Sequence, residues 1–433
     1  MLYVVGILVV VVGLLVSIGL HELGHLIPAK RFGVKVGQYM IGFGPALWSR
    51  VRGGTEYGVR AIPLGGYISM AGMYPPAKAA ARRGRAASEL YDVVMQDVDL
   101  DDDDDRAFYK LPVGKRVVIM LGGPVMNLLL AVVMFTVVYC GFGIPTATTT
   151  VGSVSECVIS VSEERDACEA GDPLAPAHQA GIQPGDRVIS VDGVAIGSWD
   201  EIPVIIRSRA GQTLPVVVDR PGVGELKLAV TPMVTERYAL DANDDILLDD
   251  NGDPVTTDAG FIGIGPATAN VPQPVTAVIP AIGESMGEMG KVIVTLPMRL
   301  WDVAVSTFGG SERDPNGPIG LVGIGRIAGE ISSLASTPVA DRVSSLIGLL
   351  GGLNLALFMF NLLPFVPLDG GHIVVALWDG VRRGFARLRG RSTPRPVDGG
   401  RLLPLTLAIS GFFILSTALL LIADIVNPIS ILG

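Results

Sequence analysis

Long apolar stretches alternate with polar segments along the chain, and the alternation predicts a protein that crosses a membrane several times. Residues 2–29, 117–144, 346–378 and 402–425 each exceed the roughly 20 low-charge residues that a spanning helix needs. The first stretch has no basic start and no small-x-small cleavage pattern, so it reads as a retained helix and not as a signal peptide.

Between the spans the pattern changes period. "VGQYMIGFGPALWSR" and "TEYGVRAIPLGGYISM" are rich in aromatic and β-branched residues and are separated by "VRGG", which predicts a β-hairpin within 31–74. Composition favours an ordinary cytoplasmic hairpin there. Residues 75–116 carry "PPAKAAARRGRAA" and then "DVDLDDDDD" with little apolar periodicity, the pattern of a flexible cytoplasmic loop. After the second span, "AHQAGIQPGDRVISVDGVAI" reads as turn, strand and Asp-Gly turn. "DEIPVIIRSRA" reads as a helix and "LPVVVDRP" with "ELKLAV" as a strand pair, so 145–270 is a small α+β module. "DANDDILLDDNGDPVTT" lacks the ordered aspartates and terminal glutamate of a calcium-binding EF-hand and reads as an acidic Asn-Gly hairpin. "MGEMGKVIVTLPMRLWDVAV" spaces apolar residues helically between charges, which predicts an amphipathic helix on the outer membrane face within 271–345.

Composition agrees with a mixed protein: of 433 residues 49% are hydrophobic and 17% charged, too apolar for a soluble enzyme and too charged centrally to be all membrane. Lys and Arg set the orientation. Residues 1–29 hold none, 30–116 hold 14, and all seven of the C-terminal part fall within 381–401, a basic cytoplasmic loop. The other 12 are spread over 117–345, too long a segment for the rule. Both termini are therefore expected outside a plasma membrane, with spans at 1–30, 117–144, 346–380 and 402–427. "RRGFARLRGRSTPR" is a topogenic loop, with anionic lipid as its other reading. The net charge of −9 and the absence of basic surface with interleaved aromatics exclude nucleic acid as a partner. Cys157 and Cys168 flank a polar stretch on the oxidising side, where a disulfide and two free thiols are both open. The three cysteines lack the spacing of a structural zinc site.

The chemistry is concentrated in "HELGH", 21–25, at the end of the first span. On a helix, His21 and His25 share a face and can ligate one metal ion, while Glu22 is placed to take a proton from an attacking water. As polar helix-end markers these groups would cost too much, because ionisable residues inside a span are expensive and usually functional. A catalytic zinc wants a third protein ligand. His178 belongs to the outer module, and Asp379 and Asp424 sit near span ends where water can solvate them. Asp369 stands in "NLLPFVPLDGGHI", where Pro364, Pro367 and the Gly pair predict unwound backbone, tolerated at membrane depth only where it is buried in protein or lines a cavity. It is the favoured third ligand, with His372 as a competitor. Asn361 can donate hydrogen bonds into the same space.

"HELGH" with "NLLPFVPLDGG" resembles the site-2 protease family of intramembrane zinc metalloproteases, in its four-span, PDZ-containing bacterial branch and with an actinobacterial look. "GFGP", "IPLGGYISMAGM", "LGGPVMNLLLA" and "GPIGLVGIGRIAG" resemble further segments of that branch, and "AHQAGIQPGDRVISVDG" resembles its inserted PDZ domain. The resemblance implies a polytopic α-helical membrane fold of about four spans, with zinc on His21, His25 and Asp369, Glu22 as general base and Asn361 on the substrate. It implies that the hairpin re-enters the membrane and offers a strand edge to substrate, against the compositional reading. It implies single-pass membrane proteins as substrates, anti-sigma factors among them, shortened first by a site-1 protease. "TTTVGSVSECV" has no Gly-Leu-Gly-Phe-like element, which leaves peptide capture and steric filtering as two readings of the PDZ domain. Two rival functions are a non-catalytic PDZ scaffold with a structural metal and a metal transporter; four histidines, two of them in one site, argue against the transporter.

Overall fold

The computed structural model describes residues 1–73, 106–161, 163, 165, 167–239, 246–249, 253–392, 394–397 and 402–429. The charge blocks at 75–87 and 97–105 and the Asn-Gly tip at 251–252 lie outside the described residues. The chain divides into two compact units, Met1–Phe142 with Gln273–Gly433, and Gly143–Pro272.

The first unit is built on helices. An apolar run with no proline before Pro28 forms α1, Leu2–Arg31, which stops where Gly33 takes a φ of 83°. Helix α2, Val113–Thr136, continues in wider turns to Phe142, where the sequence predicts a span over 117–144. The later helices are α3 (Val278–Gly309), α4 (Leu321–Ser333), α5 (Val339–Asn361), α6 (Asp369–Leu388) and α7 (Leu403–Val426). Among the described residues five helical segments have the length and hydropathy to cross a membrane: α1, Val113–Phe142, Val275–Gly309, α5 and α7. The additional one, Val275–Gly309, is the segment that the sequence places along the membrane surface.

Glycines let the helices that matter for the site touch. A β-carbon on Gly24 of α1 would overlap the carbonyl oxygen of Gly122 on α2, and one on Gly122 would overlap that of Gly24. In lipid, where apolar burial supplies no driving force between helices, such close backbone approach supplies the packing. The stretch read as one broken span, 346–380, is two helices. Pro364 and Pro367 deny the backbone two N–H donors, and α5 stops at Asn361. The chain then folds back so tightly that β-carbons on Gly370 and Gly371 would overlap the backbone of residues 362–366. Helix α6 continues to Leu388, so Arg382, Arg383 and Arg387 are helical where a loop is expected.

Asp379 and Asp424 correct the sequence reading, which leaves them to water near span ends. Asp379 is 2% exposed and accepts from Arg116 at 3.2 Å and from the Val397 N–H at 3.2 Å. Asp424 is 1% exposed; it accepts from Arg313 at 3.0 Å and from the Gly323 N–H in the first turn of α4 at 2.7 Å. A carboxylate at the N-terminus of a helix satisfies an otherwise orphaned donor.

The expected hairpin is more than a hairpin. Strands β1 (Val36–Arg52) and β2 (Thr55–Met70) both bend, and each pairs twice. Residues 48–52 pair with 55–59 in hairpin fashion, while Gln38 to Ile41 lie between Ser69–Gly66 on one side and Glu56–Val59 on the other. Gly42 and Gly44, with φ of 89° and 83°, occur where β1 bends. The stretch 66–70 is left at an outer edge. Tyr39 ties this sheet to α1 by donating to the carbonyl oxygen of Gly19 at 2.6 Å.

The second unit holds a sheet ordered β10-β3-β4-β6-β7, from Ile264–Val271, Ile144–Val154, Arg187–Val191, Leu214–Arg220 and Gly224–Val230. Two residues, β5 (Val194–Ala195), pair with β4, and β8 (Met233–Tyr238) pairs with β9 (Thr256–Phe261). The helix expected from "DEIPVIIRSRA" forms at Glu201–Ser208 and seats Ile202 and Ile206 on a core of Val188, Val191, Val216 and Val218. Cys157 and Cys168 form a disulfide, and Cys140 is a free thiol.

Candidate metal centre

Two helices from opposite ends of the sequence supply the site. His21 and His25, four residues apart on α1, point to one side of the helix as the 3.6-residue turn requires. Asp369 is the first residue of α6, set there by the proline break and the glycine fold-back just described. His21 Nε2 and His25 Nε2 are 3.2 Å apart, and Asp369 Oδ2 lies 3.4 Å from the first and 3.3 Å from the second. The sequence-predicted ligands therefore meet although Asp369 is 344 positions from His25. Among the described residues this is the cluster of His, Cys, Asp and Glu with metal-ligand proximity.

The three atoms fit a metal. All three are electron-pair donors converging on one point, and Asp369 Oδ2 has no hydrogen-bond partner. With a lone pair on each, the three would repel unless a cation lay between them. Their separations match those of donors on a tetrahedral zinc ion, where bonds of about 2.0–2.1 Å place neighbouring ligand atoms about 3.3 Å apart. Each imidazole is also held from behind. His25 Nδ1 donates to the Ile119 carbonyl oxygen at 2.7 Å, which leaves Nε2 with its lone pair facing Asp369. His21 Nδ1 stands 3.1 Å from Asn127 Nδ2, with Asn127 fully buried. Both supports come from α2, brought within reach by the Gly24–Gly122 contact. Gly123 completes the cradle, since a β-carbon there would overlap His25 Nε2.

Glu22 is 8% exposed on the same helix and stands beside the sheet: a β-carbon on Gly66 would lie 3.2 Å from Glu22 Cγ. Asn361 is the last residue of α5, partly buried, and is not part of the ligand triangle. His372 lies one turn into α6 and is likewise outside the triangle. Sequence reasoning does not single out Asn127, Gly123 or the Ile119 carbonyl. Asn127 carried a usable signal, a lone carboxamide in an apolar span; a backbone carbonyl carries none.

The family model described as peptidase family M50 matches residues 9–397. The chain belongs to peptidase family M50. This is the site-2 protease family that the two motifs resemble. Zinc metalloprotease Rip1 of Mycobacterium tuberculosis H37Rv is 34% identical over 435 residues, covering 99% of both chains. Rip1 of Mycolicibacterium smegmatis is 32% identical over 451 residues and covers all of both. The metalloprotease MmpA of Caulobacter vibrioides is 28% identical over 394 residues, 88% of each. The mycobacterial relatives agree with the actinobacterial look of the sequence. This M50 protein is thus a membrane-embedded metalloprotease, and the family membership and the donor set together argue for zinc as its metal.

Proposed function

We propose that the chain is an intramembrane zinc metalloprotease that cuts the transmembrane segments of single-pass membrane proteins, anti-sigma factors among them, after a site-1 protease has shortened them. The observation that carries this reading is the triangle of His21, His25 and Asp369, with the buried Glu22 on the same helix. His21, His25 and Asp369 hold zinc, which when bound supplies Lewis acidity toward water and the scissile carbonyl. Glu22 takes a proton from the attacking water on its carboxylate as the water oxygen bonds to the carbonyl carbon. It gives that proton to the leaving nitrogen as the C–N bond breaks. Asn361 donates from its carboxamide to the substrate carbonyl oxygen.

A transmembrane helix must be unwound before a peptide bond can enter such a site. The outer edge at 66–70, with Gly66 against Glu22, suits an extended substrate segment that pairs as an added strand. The β1–β2 sheet accordingly re-enters the membrane. The remaining assignments follow the sequence reading: four spans with Val275–Gly309 along the outer surface, both termini extracytoplasmic in the plasma membrane, and a PDZ domain at 145–270 that meets the substrate ectodomain. Comparing membrane proteomes of cells that carry the active protein or Glu22→Ala tests the reading. Truncated single-pass proteins should accumulate only with Glu22→Ala, and identical membrane proteomes would refute it.

A further inference from the structure

The two histidines are supported from behind by groups of different character. Behind His25 stands a backbone carbonyl, Ile119 O, which can only accept. Behind His21 stands Asn127, whose carboxamide offers either a donor or an acceptor. Its side chain is 0% exposed, Nδ2 faces His21 Nδ1 at 3.1 Å, and Oδ1 is buried without a hydrogen-bond partner.

We propose that Asn127 is a positioning residue that selects the metal-binding tautomer of His21 by rotation of its carboxamide. With Nδ2 donating, His21 Nδ1 supplies the lone pair, and a neutral imidazole then carries its proton on Nε2. That is the nitrogen aimed at His25 Nε2 and Asp369 Oδ2, where a metal needs a lone pair. Turning the carboxamide over exchanges two groups of nearly equal size. Oδ1 then accepts from His21 Nδ1–H, the orphaned oxygen gains its partner, and Nε2 is freed for ligation. Metal binding at His21 is in this way coupled to one amide rotation, whereas His25 is held ready by the main chain. The proposal rests on the metal-centre reading above and adds the group that governs one of its ligands.

The test is zinc affinity of the full-length protein in detergent micelles, measured against a chelating indicator, for wild type, Asn127→Asp, Asn127→Leu and His25→Ala. Cleavage kinetics with a transmembrane substrate separate kcat from KM. Asn127→Leu removes the acceptor and should bind zinc about 10–100-fold more weakly, with KM unchanged. Asn127→Asp keeps an acceptor and should bind at least as tightly as wild type. If Asn127→Leu does not fold, Asn127→Ser, too short to reach His21, should show the same weakening. Wild-type affinity in the Leu or Ser variant overturns the proposal, and so does an Asp variant as weak as the Leu variant. Wild type that takes up no zinc, or His25→Ala that matches it, overturns the metal-centre reading instead.

Discussion

His25 donates through Nδ1 to the carbonyl oxygen of Ile119 across 2.7 Å, so a main-chain atom of α2 orients an imidazole of the candidate metal site carried by α1. The registration of those two helices is thereby part of the candidate metal site. It is set by Gly24 and Gly122, whose backbones touch. Gly24→Ala and Gly122→Ala should each cost about 1–3 kcal/mol through overpacking, and should weaken zinc binding although no ligand is altered. Zinc titration beside thermal unfolding checks this; a destabilised variant with wild-type zinc affinity would show that the registration does not matter to the site.

Gly123→Ala tests the cradle more locally. The new methyl would occupy the space at His25 Nε2, so zinc should be lost with little change in helix content. Metal analysis and circular dichroism of the same preparation decide the matter.

Metal removal should be reversible and should lower stability. A chelator is expected to abolish cleavage, and zinc at about 100 times its Kd should restore it with a gain of about 2.7 kcal/mol against unfolding. Unfolding that is insensitive to zinc would argue against His21, His25 and Asp369 as its ligands.

The convergence of His21, His25 and Asp369 was legible in the sequence because each lies in a short motif with its own physical signal. His21 and His25 have one-turn spacing on an apolar helix, and Asp369 is marked by the prolines and glycines around it. What holds these side chains was less legible: the Ile119 carbonyl and the Gly24–Gly122 approach depend on which helices meet, and no residue pattern fixes that. Asp379 and Asp424 were misplaced for a similar reason. Their partners, Arg116 and Arg313, lie 263 and 111 positions away, so position near a span end suggested water where the fold supplies an arginine. In β1 and β2 the aromatic and β-branched residues on either side of a Gly-Gly turn located the strands, but their bends allow a second pairing that a hairpin rule does not anticipate.

The Arg313–Asp424 pair gives a sharp stability test, since both side chains are nearly inaccessible. Asp424→Leu or Arg313→Met alone leaves an uncompensated buried charge and should cost about 3–5 kcal/mol, while the double variant should recover much of that loss. Unfolding midpoints of the four proteins give the coupling directly. Additive losses would mean the pair does not act as a unit.

Acid should weaken the β-rich unit through two carboxylates. The Arg165 guanidinium holds Asp172 down to about 2, and the Arg220 guanidinium holds the Asp186 carboxyl below its usual range. A carboxylate with a lowered folded pKa stabilises the fold above the ordinary value of 3.8 and ceases to do so as pH falls through the lowered one. Their contribution should therefore be constant from pH 5 to 8 and fade as the pH falls below about 4, for Asp172 down to about 2. In Asp172→Asn and Asp186→Asn proteins the deficit against wild type should shrink over that acid window, read from unfolding midpoints; a deficit that shrinks at neutral pH would contradict it.

Cleavage should depend on Glu22, the proposed base beside the His21, His25 and Asp369 triangle. The direct measurement is cleavage of a transmembrane segment by purified Glu22→Gln protein whose zinc content has been shown to equal that of wild type. Loss of proton transfer should lower the rate about 10²–10⁴-fold with zinc retained. A zinc-loaded Glu22→Gln protein that cuts at the wild-type rate would contradict it.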